Sequence, residues 1–281
     1  MPSQKSGGTN PNWRLIISPP SPGAWNMAVD ESILDASAKG LVPPTLRLYA
    51  WSPACLSLGY AQPYHDIDLA NLNKYGWQYV RRLTGGRAIL HTDELTYAVI
   101  GPNNDSRLVG GVLESYRRLS KALLAALRTL GIQADAKEAP FRSDQNDAAA
   151  PVCFEEPSHY EITVDKKKLV GSAQARRKRT ILQHGTIPLT GDITRITKVL
   201  VYPDEIQRAA AAKRLSDRAS TIESSLGKKV SWGKTAQALI HAFEEELNLK
   251  LNMENLSDLE ISAAEKMLAD KYDTEQWNQR C

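Results

Sequence analysis

The chain has 281 residues, 42% of them hydrophobic and 24% charged, with a net charge of +3. This length suits one large α/β domain with an appendage, and the composition excludes a disordered or fibrous class. The charge alone implies no nucleic-acid partner, no apolar run reaches the roughly 20 residues of a membrane-spanning helix, and the polar opening "MPSQKSGGTNPNW" lacks a signal-peptide core. The expectation is a cytoplasmic protein, without membrane or nucleic-acid partners, whose residues 1–12 form a disordered leader.

From Trp13 to Ser18 the run "WRLIIS" reads as a strand, and Ala24 to Ala38 as an amphipathic helix with Ala28, Ile33 and Leu34 among its apolar positions. "TLRLYAW" (Thr45 to Trp51) and "CLSLGY" (Cys55 to Tyr60) read as strands around the turn residues Ser52 and Pro53, and Asp68 to Tyr75 as a short helix. A strand-turn-strand series follows: Trp77 to Leu83, the pair Gly85-Gly86, Ala88 to His91 and Leu95 to Gly101. Val112 to Leu130 is the clearest helix, with leucines recurring at three and four residues before Gly131. Phe141 to Pro151 has loop composition beside Cys153 and could gate it. "YEITVD" and "KLVGSAQ" form an expected hairpin around Lys166 and Lys167, followed by a strand from Thr180 to Leu189. Asp192 to Leu200, Thr235 to Leu247 and Ser257 to Tyr272 read as helices, the last opening with the Ser-x-x-Glu spacing of a capping box. The expected division is a mixed β-rich catalytic body over 13–203 and a helical C-terminal portion over 204–281.

Several residues could carry chemistry. Glycines in "RRLTGGRAILH" allow backbone N–H groups to approach a ligand, although a tight turn explains a Gly-Gly pair equally simply. Neither GxxxxGK[ST] nor GxGxxG is present. Cys55, Cys153 and Cys281 show no CxxC spacing, which argues against a disulfide framework or a cysteine zinc site, and each reads as a free thiol. Cys153 is either a small buried hydrophobe or a nucleophile whose thiol pKa is lowered by nearby cations. His91, His159 and His184 fall in or beside strands with no metal-ligand spacing, so no metal is expected. "LVGSAQ" lacks the second glycine of a nucleophile elbow, which disposes of a serine hydrolase. Period-two alternation places Lys168, Val170 and Ser172 on one face, whereas Lys166 and Lys167 read as exposed charges. The basic run Arg176 to Arg179 is either a solvated hairpin or a docking strip for an acidic partner.

Taken together, "RRLTGGRAILH", "KLVGSAQ" and "LQHGTI" resemble, in order and spacing, the lipoate ligase, octanoyltransferase and biotin ligase superfamily. "NMAVDESIL", "WSPACLSLGYAQ", "PVCFEEPSHYEI" and "KYDTEQWN" make the chain most similar to its Gram-positive-type octanoyltransferases, from Trp13 to Asn278. The resemblance implies an α/β fold in which a mixed sheet is flanked by helices. It also implies transfer of an octanoyl group from octanoyl-acyl carrier protein to a lipoyl-domain lysine, as in the glycine cleavage H protein. The family's nucleophile falls on Cys153 and its invariant lysine on Lys168. Arg82, Gly85, Gly86 and His91 fall in its acyl-binding loop, joined by Gly171, Ser172 and Ala173.

Such chemistry needs no nucleotide or other cofactor. A Cys153 thiolate would exchange one thioester for another, and the acceptor lysine would then form a stable amide, giving ping-pong kinetics. An apolar tunnel would select chain length, at about 0.8 kcal/mol per buried methylene. The alternatives are an ATP-dependent lipoate ligase and an enzyme moving acyl groups between lipoyl domains. Ligases usually continue His-Asp-x-Gly-Asn after the glycine loop, where this chain has "HTDELTYAV".

Overall fold

Strand-forming runs and amphipathic helices alternate from residue 12 onward, and the computed structural model, which describes residues 11–137, 152 and 161–281, orders them into two sheets. Strand β1 (Asn12–Ile17) leads into helix α1 (Gly23–Ala38), then β2 (Thr45–Tyr49), β3 (Cys55–Leu58) and a short α2 (Leu69–Lys74). Next come β4 (Gln78–Arg81), β5 (Ile89–His91), β6 (Glu94–Pro102) and helix α3 (Val112–Thr129). Strands β7 (Asp135–Lys137), β8 (Glu161–Val164), β9 (Lys167–Arg177) and β10 (Thr180–Pro188) follow. The chain then forms α4 (Glu205–Arg218), α5 (Ile222–Leu226), α6 (Trp232–Leu247), β11 (Lys250–Met253), α7 (Asp258–Met267) and α8 (Glu275–Asn278).

The large sheet has the order β11-β1-β2-β6-β10-β9-β8-β7, parallel where β1 meets β11 and β2 and antiparallel elsewhere. The small one has the order β4-β3-β5. Thus the strand runs on either side of Ser52-Pro53 belong to different sheets. Strands β2, β6 and β10 are buried almost throughout, because helices cover both faces of the large sheet. On one face Leu119, Leu123 and Leu127 of α3 and Leu239 and Phe243 of α6 pack against Leu46, Leu48, Tyr97 and Val99. At about 1.5–3 kcal/mol for each fully buried large apolar side chain, these helices are held by packing more than by intrinsic propensity. The opposite face is covered by α1 (Met27, Ala28, Ile33) against Tyr49, Ala98, Ile100 and Leu182, with Ala264 of α7 in the same cluster.

Three local details differ from the sequence expectation. The segment after Asp192 is a 3-10 helix, Ile193–Val199, initiated by the Asp192 carboxylate accepting from the Thr194 N–H. The β8–β9 turn sits on Asp165 and Lys166, with φ of 49° and 65°, as the twist of a two-residue hairpin demands, so Lys167 already belongs to the strand. The register then pairs Lys168 with Thr163 but Val170 with Ile162, making Leu169 the extra residue of a β-bulge. Lys168 therefore shares a face with Thr163 and lies opposite to Val170, which reverses the simple alternation.

Candidate active site

The face of the large sheet beneath α1 carries an unusual load of polar side chains. Cross-strand pairing aligns Arg47 with Ala98, His184 and Ala173, and Tyr49 with Thr96, Thr186 and Gly171. Buried charge is tolerated only when paired and hydrogen-bonded. Asp30 of α1 answers this need, accepting from Arg47 Nη1 at 2.7 Å and Tyr49 Oη at 3.0 Å and meeting His184 Nδ1 at 3.2 Å. Burial pushes the Asp30 carboxyl upward, but the Arg47 charge and the His184 contact bring it below its ordinary value. Burial pushes the His184 imidazole down.

At the end of this face, between it and the small sheet, lies a cavity of about 370 Å³ of empty space, lined by Trp51, Arg82, Ile89, His91, Gly171–Ala173 and His184 among others. Trp51 stacks on His91 with ring centroids 3.9 Å apart and 9° between planes. His91 Nδ1 lies 2.5 Å from Glu94 Oε1, which also accepts from Thr96 Oγ1 at 2.7 Å, and Trp51 Nε1 donates to Thr96 at 2.8 Å. Thr186 Oγ1, in the same lining, is buried and has no hydrogen-bond partner among the described residues. A buried hydroxyl left this way costs about 1–3 kcal/mol unless a ligand satisfies it.

Above the cavity the glycine loop is held from below. Arg82 Nη2 donates to the carbonyls of Gly85 and Arg87, each at 2.8 Å. Gly86 has φ +91°, and a Cβ on Gly59 would stand 1.8 Å from the Gly86 carbonyl oxygen, so "SLGY" must carry glycine where the two loops cross. Arg81 points away, donating to the Gly59 and Gln62 carbonyls at 2.8 and 2.6 Å and to the Asn278 carbonyl at 3.0 Å.

Five of the residues expected to bind an acyl group, Arg82, His91, Gly171, Ser172 and Ala173, thus line one cavity, with Gly85 and Gly86 in the loop that Arg82 anchors. Lys168 is 3% exposed, and its Nζ lies 2.9 Å from Glu161 Oε1. Cys153 and His159 lie outside the described residues. Val152, which precedes the cysteine, forms a parallel bridge with Ala88, directly after the glycine loop. Burial pushes the Cys55 thiol far upward in the apolar core, which makes it a packing residue. Among the described residues no group of three or more His, Cys, Asp or Glu could hold a metal ion. Sequence reasoning missed Asp30, Arg47, Ser57, Thr84 and Glu94, although Asp30 among apolar helix positions and Arg47 inside "TLRLY" were visible anomalies.

A mixed eight-stranded sheet covered on both faces carries a glycine loop over the cavity, and residues 22–244 match the lipoyl protein ligase A/B catalytic domain family. The chain belongs to it, on the octanoyltransferase side. Octanoyltransferase LipM of Kyrpidia tusciae is 40% identical over 95% of this chain and 98% of its own. The enzyme of the same name from Brevibacillus brevis is 37% identical over 95% and 99%. Among solved structures, the bipartite lipoate protein ligase of Thermoplasma acidophilum superposes with a TM-score of 0.79 at 27% identity, covering 95% of this chain and 96% of that one. A lipoate-protein ligase A bound with ATP gives a TM-score of 0.77 at 26% identity, covering 95% and 98%. Among the described residues, no helix is long and apolar enough to cross a membrane.

Proposed function

We propose that this enzyme moves an octanoyl group from octanoyl-acyl carrier protein to a lysine of a lipoyl domain, such as that of the glycine cleavage H protein, through a thioester on Cys153. The observation that carries the reading is the cavity itself, in which Trp51, Ile89 and Met27 offer apolar wall while the buried Thr186 hydroxyl has no partner among the described residues. That combination suits an alkyl chain ending in a carbonyl group. In this reading Cys153 gives up its thiol proton and its sulfur attacks the donor thioester, the carrier sulfur leaves and takes up that proton, and the acceptor amine later displaces the cysteine sulfur, which takes the amine's proton as the amide forms. Lys168, brought to the Thr163 face by the bulge, supplies positive charge for the thiolate and the oxyanion. Residues 13–203 carry the chemistry, and 204–281 buttress it through contacts such as Asn278 with Arg81.

The test is incubation with octanoyl-carrier protein in the absence of ATP, followed by mass spectrometry. One octanoyl group on the Cys153 peptide is expected, and Cys153→Ala should lose transfer by at least 10³-fold, as for a missing nucleophile. Full transfer by Cys153→Ala, or acylation that requires ATP, returns the enzyme to the ligase reading, which the superposition on an ATP-bound ligase favours. An octanoyl-lipoyl domain offered as donor separates the third possibility, exchange between lipoyl domains.

A further inference from the structure

Both cavity histidines are addressed by the same guanidinium. Arg82 Nε donates to Thr84 Oγ1 at 3.1 Å, and Thr84 Oγ1 lies 2.7 Å from His184 Nε2. Arg82 Nη1 donates to Ser57 Oγ at 3.1 Å, and Ser57 Oγ lies 2.8 Å from His91 Nε2. Beyond the rings, Nδ1 of His184 meets the Asp30 carboxylate and Nδ1 of His91 meets that of Glu94.

Direction follows from chemistry. Arginine has only donors and an ionised carboxylate only acceptors. Each hydroxyl therefore accepts from Arg82, and its own proton needs an acceptor, which the ring Nε2 supplies. The carboxylate at the far side accepts a hydrogen bond from Nδ1–H. We infer that Arg82 is a positioning residue that, through Thr84 and Ser57, commits Nε2 of both His184 and His91 to accepting a hydrogen bond and leaves the single ring proton on Nδ1.

The consequence reaches the reaction. Neither Nε2 can take a proton from an incoming amine without breaking a hydroxyl bond that Arg82 backs, so both rings serve as cavity wall and not as the base. Arg82 lacks spare reach for a direct role, since Nη1 and Nη2 also donate to the carbonyls of Ser57, Gly85 and Arg87. Lysine, with three donors on one nitrogen, cannot span these acceptors. The groups facing the rings are Asp30, Glu94 and Arg82, together with the other histidine, Tyr49 and Arg47 through Asp30, and Trp51 stacked on His91.

Long-range proton–nitrogen NMR of ring-labelled protein at neutral pH reads which nitrogen carries the proton. Both His91 and His184 should show Nδ1–H with a hydrogen-bonded Nε2. Thr84→Val should move the Nε2 resonance of His184 and leave that of His91, Ser57→Ala should do the reverse, and Arg82→Gln should move both. A proton on either Nε2 in the wild type overturns the proposal, as does an unmoved Nε2 in both hydroxyl variants. The hydroxyl variants decide the matter if Arg82→Gln does not fold. This outcome is independent of the acyl assignment, which stands or falls on the Cys153 adduct.

Discussion

Asp30 shows how one side chain can set the terms for a whole site. It joins α1 to the sheet through Arg47, Tyr49 and His184, and these contacts fix the floor of the cavity. Because burial holds His184 below its ordinary value near 6.5, the unfolded chain binds this proton at higher pH than the folded one. The stability it contributes is present above the unfolded value and is lost as pH falls through the folded one. Asp30, lowered from 3.8, adds a further loss in the same direction at more acid pH. Denaturant unfolding should thus give a free energy that is level above about pH 7 and declines below about 6.5, and a level or rising curve on acidification would contradict the sign. Of these residues the sequence analysis singled out His184 alone, and the anomalies at Asp30 and Arg47 carried no assignment. Arg47 in "TLRLY" resembles the solvent-facing member of an alternating strand, and its burial follows only once α1 covers the second face of a central strand. Alternation reports one covered face and is silent about the other.

At the scale of elements, β9 does two jobs along its length. Its first half holds Lys168 and the bulge, and its second half fixes α3, because Arg176 donates to the Gly110 and Gly111 carbonyls and to Ser115 Oγ at 2.6, 2.9 and 2.9 Å. The arginines of this run are therefore not equivalent, and the docking expectation narrows to Arg177, whose guanidinium lies 5.6 Å over the Tyr60 ring. Arg176→Ala should cost about 1–3 kcal/mol of stability, since these three hydrogen bonds and a fourth to Gln174 Oε1 at 2.8 Å are lost at partly exposed sites. Arg177→Glu should leave stability within about 0.5 kcal/mol. It should instead slow transfer from an acidic donor at low salt, an effect that fades as ionic strength rises. Paired unfolding and kinetic measurements on the two variants check this contrast. The hairpin was legible from "YEITVDKKKLVGSAQ", but the bulge was not, since a one-residue offset depends on the partner strand.

Across the whole molecule, the chain closes on itself at the glycine loop. Asn278 Oδ1 accepts from the Arg81 backbone N–H at 2.8 Å, and its carbonyl accepts from Arg81 Nε and Nη2 at 3.2 and 3.0 Å, in a fully buried setting 197 residues apart in sequence. Asn278→Ala removes the Oδ1 acceptor and leaves the Arg81 N–H without this partner, so a loss of about 1–3 kcal/mol and weaker transfer are expected, by unfolding and by single-turnover assay. A stability change below about 0.5 kcal/mol would show that the closure is passive. The far end of the chain also pins β1, where Arg14 Nη1 and Nη2 grip Glu260 of α7 at 2.8 and 2.5 Å. Synthesis proceeds from the N-terminus, and contacts of long sequence separation form late. In a nascent chain β4 therefore gains its pairing with β3 and its bonds to the Gly59 and Gln62 carbonyls first, and the Asn278 contact is added to them last.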